Sequence, residues 1–208
     1  MPAQFEPPFA AAEGFVEKLF ASVDRRPEEG TIRVGGQRYV FMRCESLYLS
    51  WFDAMADAFG EETARDFIYN TAREIGRSDA ADFSRRMKVE SGIERLSAGP
   101  VHFAHAGWAL VNIAGDSAPS PDGSYYLHYH HPNTFESEVL VRREKKVEKP
   151  ACLFSAGYSA GWCSDAFNVE VHAREVRCIA RGDQTCEFIM APPERLDGYE
   201  LRLLREGR

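Results

Sequence analysis

Four residues near the end of the chain have the types and spacing to do chemistry together: Cys152, Glu175, Cys178 and Cys186. Residues 175–186 read Glu-Val-Arg-Cys-Ile-Ala-Arg-Gly-Asp-Gln-Thr-Cys, two short apolar runs around a Gly-Asp turn. Pairing the two runs would bring the Cys178 and Cys186 thiols together. Glu175 and Cys178 lie three positions apart, so in a regular strand they face opposite sides, and sharing one site needs a bulge or bend. Cys152 must arrive from a distant segment. A structural zinc site takes four Cys, His or carboxylate ligands in a tetrahedron. On spacing alone two readings stand: one metal site, or three buried reduced cysteines beside a surface glutamate.

The elements that must position these residues belong to a chain of 208 residues, long enough to bury a core as one large domain. Hydrophobic content of 44% and charged content of 27% are ordinary for a globular protein. No apolar run approaches the roughly 18 residues of a membrane helix. The opening Met-Pro-Ala-Gln-Phe-Glu-Pro-Pro has neither the basic nor the apolar part of a signal peptide. The cytoplasm is therefore the expected compartment, where spaced cysteines point to metal or reactivity rather than to disulfides. A net charge of −7 argues against direct nucleic-acid contact. The basic cluster Arg142-Arg143-Glu144-Lys145-Lys146 is interleaved with acids and reads as a solvated face.

Apolar spacing predicts a helix over residues 9–22 and a β-hairpin over 31–42 that turns at Gly35-Gly36. Helices are expected from Ser46 to Phe59, over 61–77 and 79–88, and over 89–98, the last closed by Gly99-Pro100. The period then shifts towards two. Strands are expected over 101–113 and 124–130, joined by a loop rich in Ser, Pro, Gly and Asp. A small-residue helix over 154–167, with Gly157 and Gly161 for close packing, precedes a hairpin of 169–180 and 185–191. The fold class is α+β: an antiparallel sheet with packed helices and a zinc-bound C-terminal β-hairpin.

The run Cys-Leu-Phe-Ser-Ala-Gly-Tyr-Ser-Ala-Gly-Trp from Cys152, followed by the Glu175–Cys186 block, resembles the 4-vinyl-reductase domain. More closely it resembles the aromatic-sensing N-terminal domain of XylR/DmpR-type sigma-54-dependent activators. Upstream, Gly30-Thr-Ile-Arg-Val-Gly-Gly-Gln-Arg, Phe59-Gly-Glu-Glu-Thr-Ala-Arg, Ala98-Gly99-Pro100 and Phe135-Glu136 carry the likeness, which covers residues 28–195. Residues 1–27 are then an N-terminal extension and 196–208 a terminal helix or linker stub. The resemblance implies that Cys152, Glu175, Cys178 and Cys186 bind zinc. Four protein ligands leave no open position, so that zinc is structural. Cys44 and Cys163 fall outside the pattern. The resemblance also implies a homodimer.

It further implies an enclosed cavity for a small aromatic or hydrophobic ligand, lined from the central strands and the helix after Cys152. The candidate ligand-binding residues are His102, Phe103, Trp108, Tyr129, His131, Tyr158 and Trp162. Phenol sensors hold the hydroxyl with a His and a Trp, and those positions fall here on Phe103 and His131. Phenol specificity therefore does not transfer. In the run His128-Tyr129-His130-His131, strand alternation puts His128 and His130 on one side and His131 on the other, which favours scattered roles over a second metal site.

The reading that follows is a non-enzymatic sensor domain that regulates a partner or an attached transcription-activator module. The alternatives are a vinyl-reductase-type enzyme and a tetrapyrrole carrier or chaperone. No dinucleotide fingerprint, nucleophile elbow or phosphate-binding loop is present in the sequence.

Overall fold

The computed structural model describes residues 1–206. Helix α1 (Glu6–Ala21) is followed by strands β1 (Asp24–Arg26), β2 (Thr31–Val34) and β3 (Gln37–Tyr39), which form a three-stranded antiparallel sheet turning at Gly35-Gly36. Strand β1 adds a third member to the expected hairpin. Helix α2 (Cys44–Phe59) runs to Gly60 as expected.

Helix α3 (Glu61–Met87) is one helix of 27 residues, not two. Its burial repeats at Ala64, Ile68, Ala72, Gly76 and Ala80 without a break through Arg77–Asp79. Helix α4 (Gly92–His105) corrects two expectations. Ser91 and Glu94 form a reciprocal capping box at its start. Gly99-Pro100 then lies inside the helix rather than ending it, and His102, Phe103 and His105 are helical rather than on a strand. At Gly99 a side chain would collide with the Trp162 indole. The residues expected as a strand over 101–113 contribute only the short β4 (Asn112–Ile113).

A second sheet, order β4-β5-β7-β6 and antiparallel throughout, contains β5 (Leu127–His131), β6 (His172–Arg177) and β7 (Cys186–Ala191). Between β5 and β6 lie α5 (Phe135–Arg142) and α6 (Leu153–Phe167). Helix α5 is not apparent from the sequence. It starts where the Thr134 hydroxyl accepts from the Ser137 backbone N–H at 3.0 Å, and its charged end masks the apolar Phe135, Val139 and Leu140 beneath. Helix α7 (Leu196–Glu206) packs on the outer face of the sheet through Leu196, Tyr199 and Leu203. The last two residues of the expected terminal segment lie outside the described residues.

The core lies between this sheet and the α3/α6/α4 layer. Helices α3 and α6 meet backbone to backbone: a β-carbon on Gly157 would land on the Tyr69 carbonyl, and one on Gly161 on the Arg73 carbonyl. Helix α6 is buried almost all round, as its mostly apolar and small-residue sequence dictates. Among the described residues no helix is long and apolar enough to cross a membrane.

Candidate metal centre and effector cavity

The fold brings Cys152, Glu175, Cys178 and Cys186 together, with one ligand atom from each within 4.8 Å of all the others, and all four residues are buried. Cys152 stands just before α6, Glu175 on β6, and Cys186 at the start of β7. The β6–β7 register shifts between Glu175 and Arg177, which supplies the bend that lets Glu175 and Cys178 share a site. After Cys178 a single 3₁₀ turn closes on Gly182, whose φ of 104° is in the left-handed region.

Second contacts orient each donor. The Cys152 backbone N–H donates to Glu175 Oε2 at 2.9 Å, and the Ile179 N–H donates to Cys186 Sγ at 3.4 Å. Asp183 Oδ2 accepts from the Cys178 N–H at 2.8 Å. Thr134 Oγ1 stands 3.1 Å from Cys152 Sγ, and the Cys152 and Cys186 sulfurs are 3.5 Å apart. Glu175 Oε1 is buried among the thiols with no well-formed hydrogen bond.

Hydrogen bonds from Cys152 and Cys186 pull the Cys178 thiol down to about 2, whereas burial pushes Cys152 well above the ordinary thiol range. Burial, with Cys178 adding to it, lifts the Glu175 carboxyl to about 8. On its own protons the cluster thus holds about one negative charge. Three thiolates and a carboxylate sharing this volume need a divalent cation, and sulfur-rich donors suit zinc. The residues fit a closed, four-ligand metal.

The second feature is a cavity of about 30 Å³ between α4, α6 and the sheet. Of the seven candidate ligand residues, Phe103, Tyr129, Tyr158 and Trp162 line it. Its remaining wall includes Leu96, Val111, Ile113, Leu127 and Cys163, aliphatic or small positions whose types carry no mark of a binding role. Trp108 lies outside this lining but touches it, with its ring centroid 5.2 Å from Phe103 and 5.0 Å from Tyr158.

His131 is fully buried, 5.8 Å from the Phe103 ring and 4.6 Å from Phe188, and neither ring nitrogen has a hydrogen-bond partner. Burial pushes it down to about 3, so the ring is neutral, offering one donor and one acceptor. His102 lies on the far side of the aromatic cluster. Tyr158 donates its hydroxyl proton to Asp79 at 2.8 Å, so His102 Nδ1–H donates to Tyr158 at 3.0 Å. That leaves His102 Nε2 as a buried acceptor without a partner.

One buried carboxylate was not legible in the sequence. Glu136, fully buried on α5, accepts from the Phe154 N–H at 2.7 Å and from the Ser155 N–H and hydroxyl. It anchors the N-terminus of α6, which Cys152 precedes. Burial lifts its carboxyl to about 8.

A buried polar-lined aromatic cavity behind a closed thiol cluster, within an α+β frame, defines a class of ligand-sensing domain, and comparison with known proteins agrees. Residues 132–192 match the 4-vinyl-reductase domain family, and residues 18–115 match the family described as activator of aromatic catabolism. The chain thus belongs with the 4-vinyl-reductase-like aromatic-sensing domains of XylR/DmpR-type activators. One relative is the phenol regulator MopR of Acinetobacter guillouiae, 26% identical over 133 residues, which is 64% of this chain and 24% of that protein. The chain therefore spans about a quarter of that relative. A similar solved structure is the phenol-responsive sensory domain of the transcription activator PoxR with phenol. It superposes with a TM-score of 0.76 over 98% of each chain at 21% identity, which establishes the shared fold.

Proposed function

We propose that this chain is a sensor domain whose cavity takes one small aromatic or hydrophobic effector, and that effector binding changes its contacts with an attached or partner activator module. The observation that carries this reading is the enclosed lining of Phe103, Tyr129, Tyr158 and Trp162, beside a buried His131 with both nitrogens unpartnered. Small ligands are held by such an apolar wall with a few polar anchors. MopR is named a phenol regulator and the PoxR domain is described with phenol, which supports an aromatic as the ligand class.

A cavity of about 30 Å³ holds little more than a water molecule. Admission of an aromatic ring therefore requires the lining to move apart. That requirement suits a sensor, because a ligand shifts a conformational equilibrium only by binding one state better than the other. The second part of the proposal is that Cys152, Glu175, Cys178 and Cys186 hold a structural zinc that ties α6 to the β6–β7 hairpin. With all four donors from protein, zinc there supplies cross-linking and no open site for a substrate. This favours a sensor over a reductase or a pigment carrier.

The test is binding. Phenol, methylbenzenes and larger bicyclic aromatics are titrated into the purified chain by calorimetry and thermal shift. One-to-one binding of at least one, weakened by Trp162→Ala, is expected, and no binding across the panel would overturn the reading. The double variant Phe103→His with His131→Trp restores the residue types of phenol sensors. It is expected to tighten phenol about five- to tenfold, the worth of roughly one net hydrogen bond.

A further inference from the structure

Strand β5 alternates. Tyr129 and His131 point into the core, while His128 and His130 point to the outer face of the sheet, where their rings lie 4.9 Å apart. There they meet Glu187 of β7, the register partner of His130. His128 Nε2 is 2.9 Å and His130 Nε2 3.8 Å from the same Glu187 oxygen, Oε1.

The remaining polar atoms are held from behind. His128 Nδ1 is bound to Asp116 Oδ1 at 3.0 Å, and Glu187 Oε2 is bound to Arg177 Nη1 at 2.7 Å. A carboxylate on the far nitrogen of an imidazole is the usual second partner of a metal-ligating histidine, because it fixes the tautomer and aims the near nitrogen.

We propose that His128, His130 and Glu187 form a second metal site, separate from the thiol cluster, for an exchangeable first-row divalent ion such as Zn²⁺ or Ni²⁺. The three ligand atoms lie within 4.8 Å of one another. A tetrahedral site separates its donors by about 3.3 Å, so a small rotation of the half-exposed His130 closes the set. Two imidazoles and one carboxylate select a transition ion over Mg²⁺ or Ca²⁺, which prefer all-oxygen ligands. Three protein donors leave a coordination position open to solvent, unlike the closed thiol cluster. Arg177 competes for the carboxylate charge, so this ion exchanges more readily than one held by thiolates. Occupancy fastens β5 to β7 and fixes Asp116, which also accepts from Tyr126 Oη at 3.4 Å. Tyr126 stacks on Tyr199 of α7 with centroids 4.5 Å apart, so the site lies next to the outer helix rather than the cavity.

The test uses the full chain, titrated with Zn²⁺ by equilibrium dialysis with elemental analysis, beside His130→Ala and Asp116→Asn. His130 is half-exposed and is not part of the core, so its variant is expected to keep the wild-type melting temperature. His130→Ala should bind one equivalent fewer than wild type, and Asp116→Asn should weaken that equivalent about 10–100-fold. Mg²⁺ in excess should not displace it. The proposal is overturned if wild type and His130→Ala bind equal amounts of Zn²⁺, or if Mg²⁺ competes. Because the readout is a difference between variants, it does not depend on whether the thiol cluster is loaded.

Discussion

At the scale of single residues, the thiol cluster is the most constrained point in the molecule. Three sulfurs and a carboxylate are buried within 4.8 Å, and oxygen in place of any one sulfur removes a soft donor from a site that has no spare. Cys178→Ser and Cys186→Ser are each expected to cut bound zinc from about one equivalent to below about a tenth. They should also lower Tm by about 10 °C or more. Metal binding coupled to folding is worth many kcal/mol, and each kcal/mol moves a domain of this size by about 2–4 °C. Elemental analysis and a melting curve with and without chelator check this; an unchanged Tm in chelator would count against a structural metal. The cluster was legible in the sequence because thiols are few and their spacing around a Gly-Asp turn has a geometric meaning. The partners of His128 were not. Asp116 and Glu187 reach it through cross-strand register and a loop, and neither distance is written in local spacing. His131 was visible as a departure from phenol sensors, but its isolation from any hydrogen-bond partner appears only once the core is assembled around it.

At the scale of elements, the α3–α6 contact decides how the cavity is framed. Gly161→Ala places a methyl against the Arg73 carbonyl, backbone that has no rotamer to yield. It is expected to cost about 1–3 kcal/mol or more. Gly14, in α1 with open space around it, gives the opposite sign: Gly14→Ala should stabilise by about 0.5–1 kcal/mol through helix propensity. Urea melts of the pair test the contrast, and equal effects would refute the close-packing argument. The C-terminal hairpin and α6 were legible because their periodicities are clean. Residues 101–113 were not. Gly99-Pro100 reads as a helix stop, and His-Phe-Ala-His mimics a strand's alternation. The helix continues because tertiary packing overrides both: Gly99 is the residue that lets α4 pass the Trp162 indole.

At the scale of the whole molecule, helices α3, α4 and α6 are linked by the chain Asp79–Tyr158–His102, with His105 as a further charge near His102. Burial lowers His102 to about 4, so between about pH 4 and 6.5 the unfolded chain binds the proton and the folded one does not. This group's stabilisation is therefore complete above about pH 6.5 and is lost as pH falls towards 4, by at most about 3 kcal/mol. His102→Asn should flatten that part of the stability profile measured by denaturant melts; an unchanged slope would mean that the imidazole is not held neutral. We further propose that the domain is a homodimer, as the family resemblance implies, with a mass near twice 23.4 kDa in light scattering; a monomer at micromolar concentration would refute it. The seam between α3 and α6 has a mechanical consequence for such a sensor. Backbone pressed on backbone cannot be compressed, so this side of the molecule is an anvil. Space for an effector must then come from the opposite walls, α4 and the sheet, and the signal leaves in the direction that can yield. New effector sizes should accordingly arise from substitutions at positions such as Leu96, Val111 and Leu127, and seldom from the glycines of the seam.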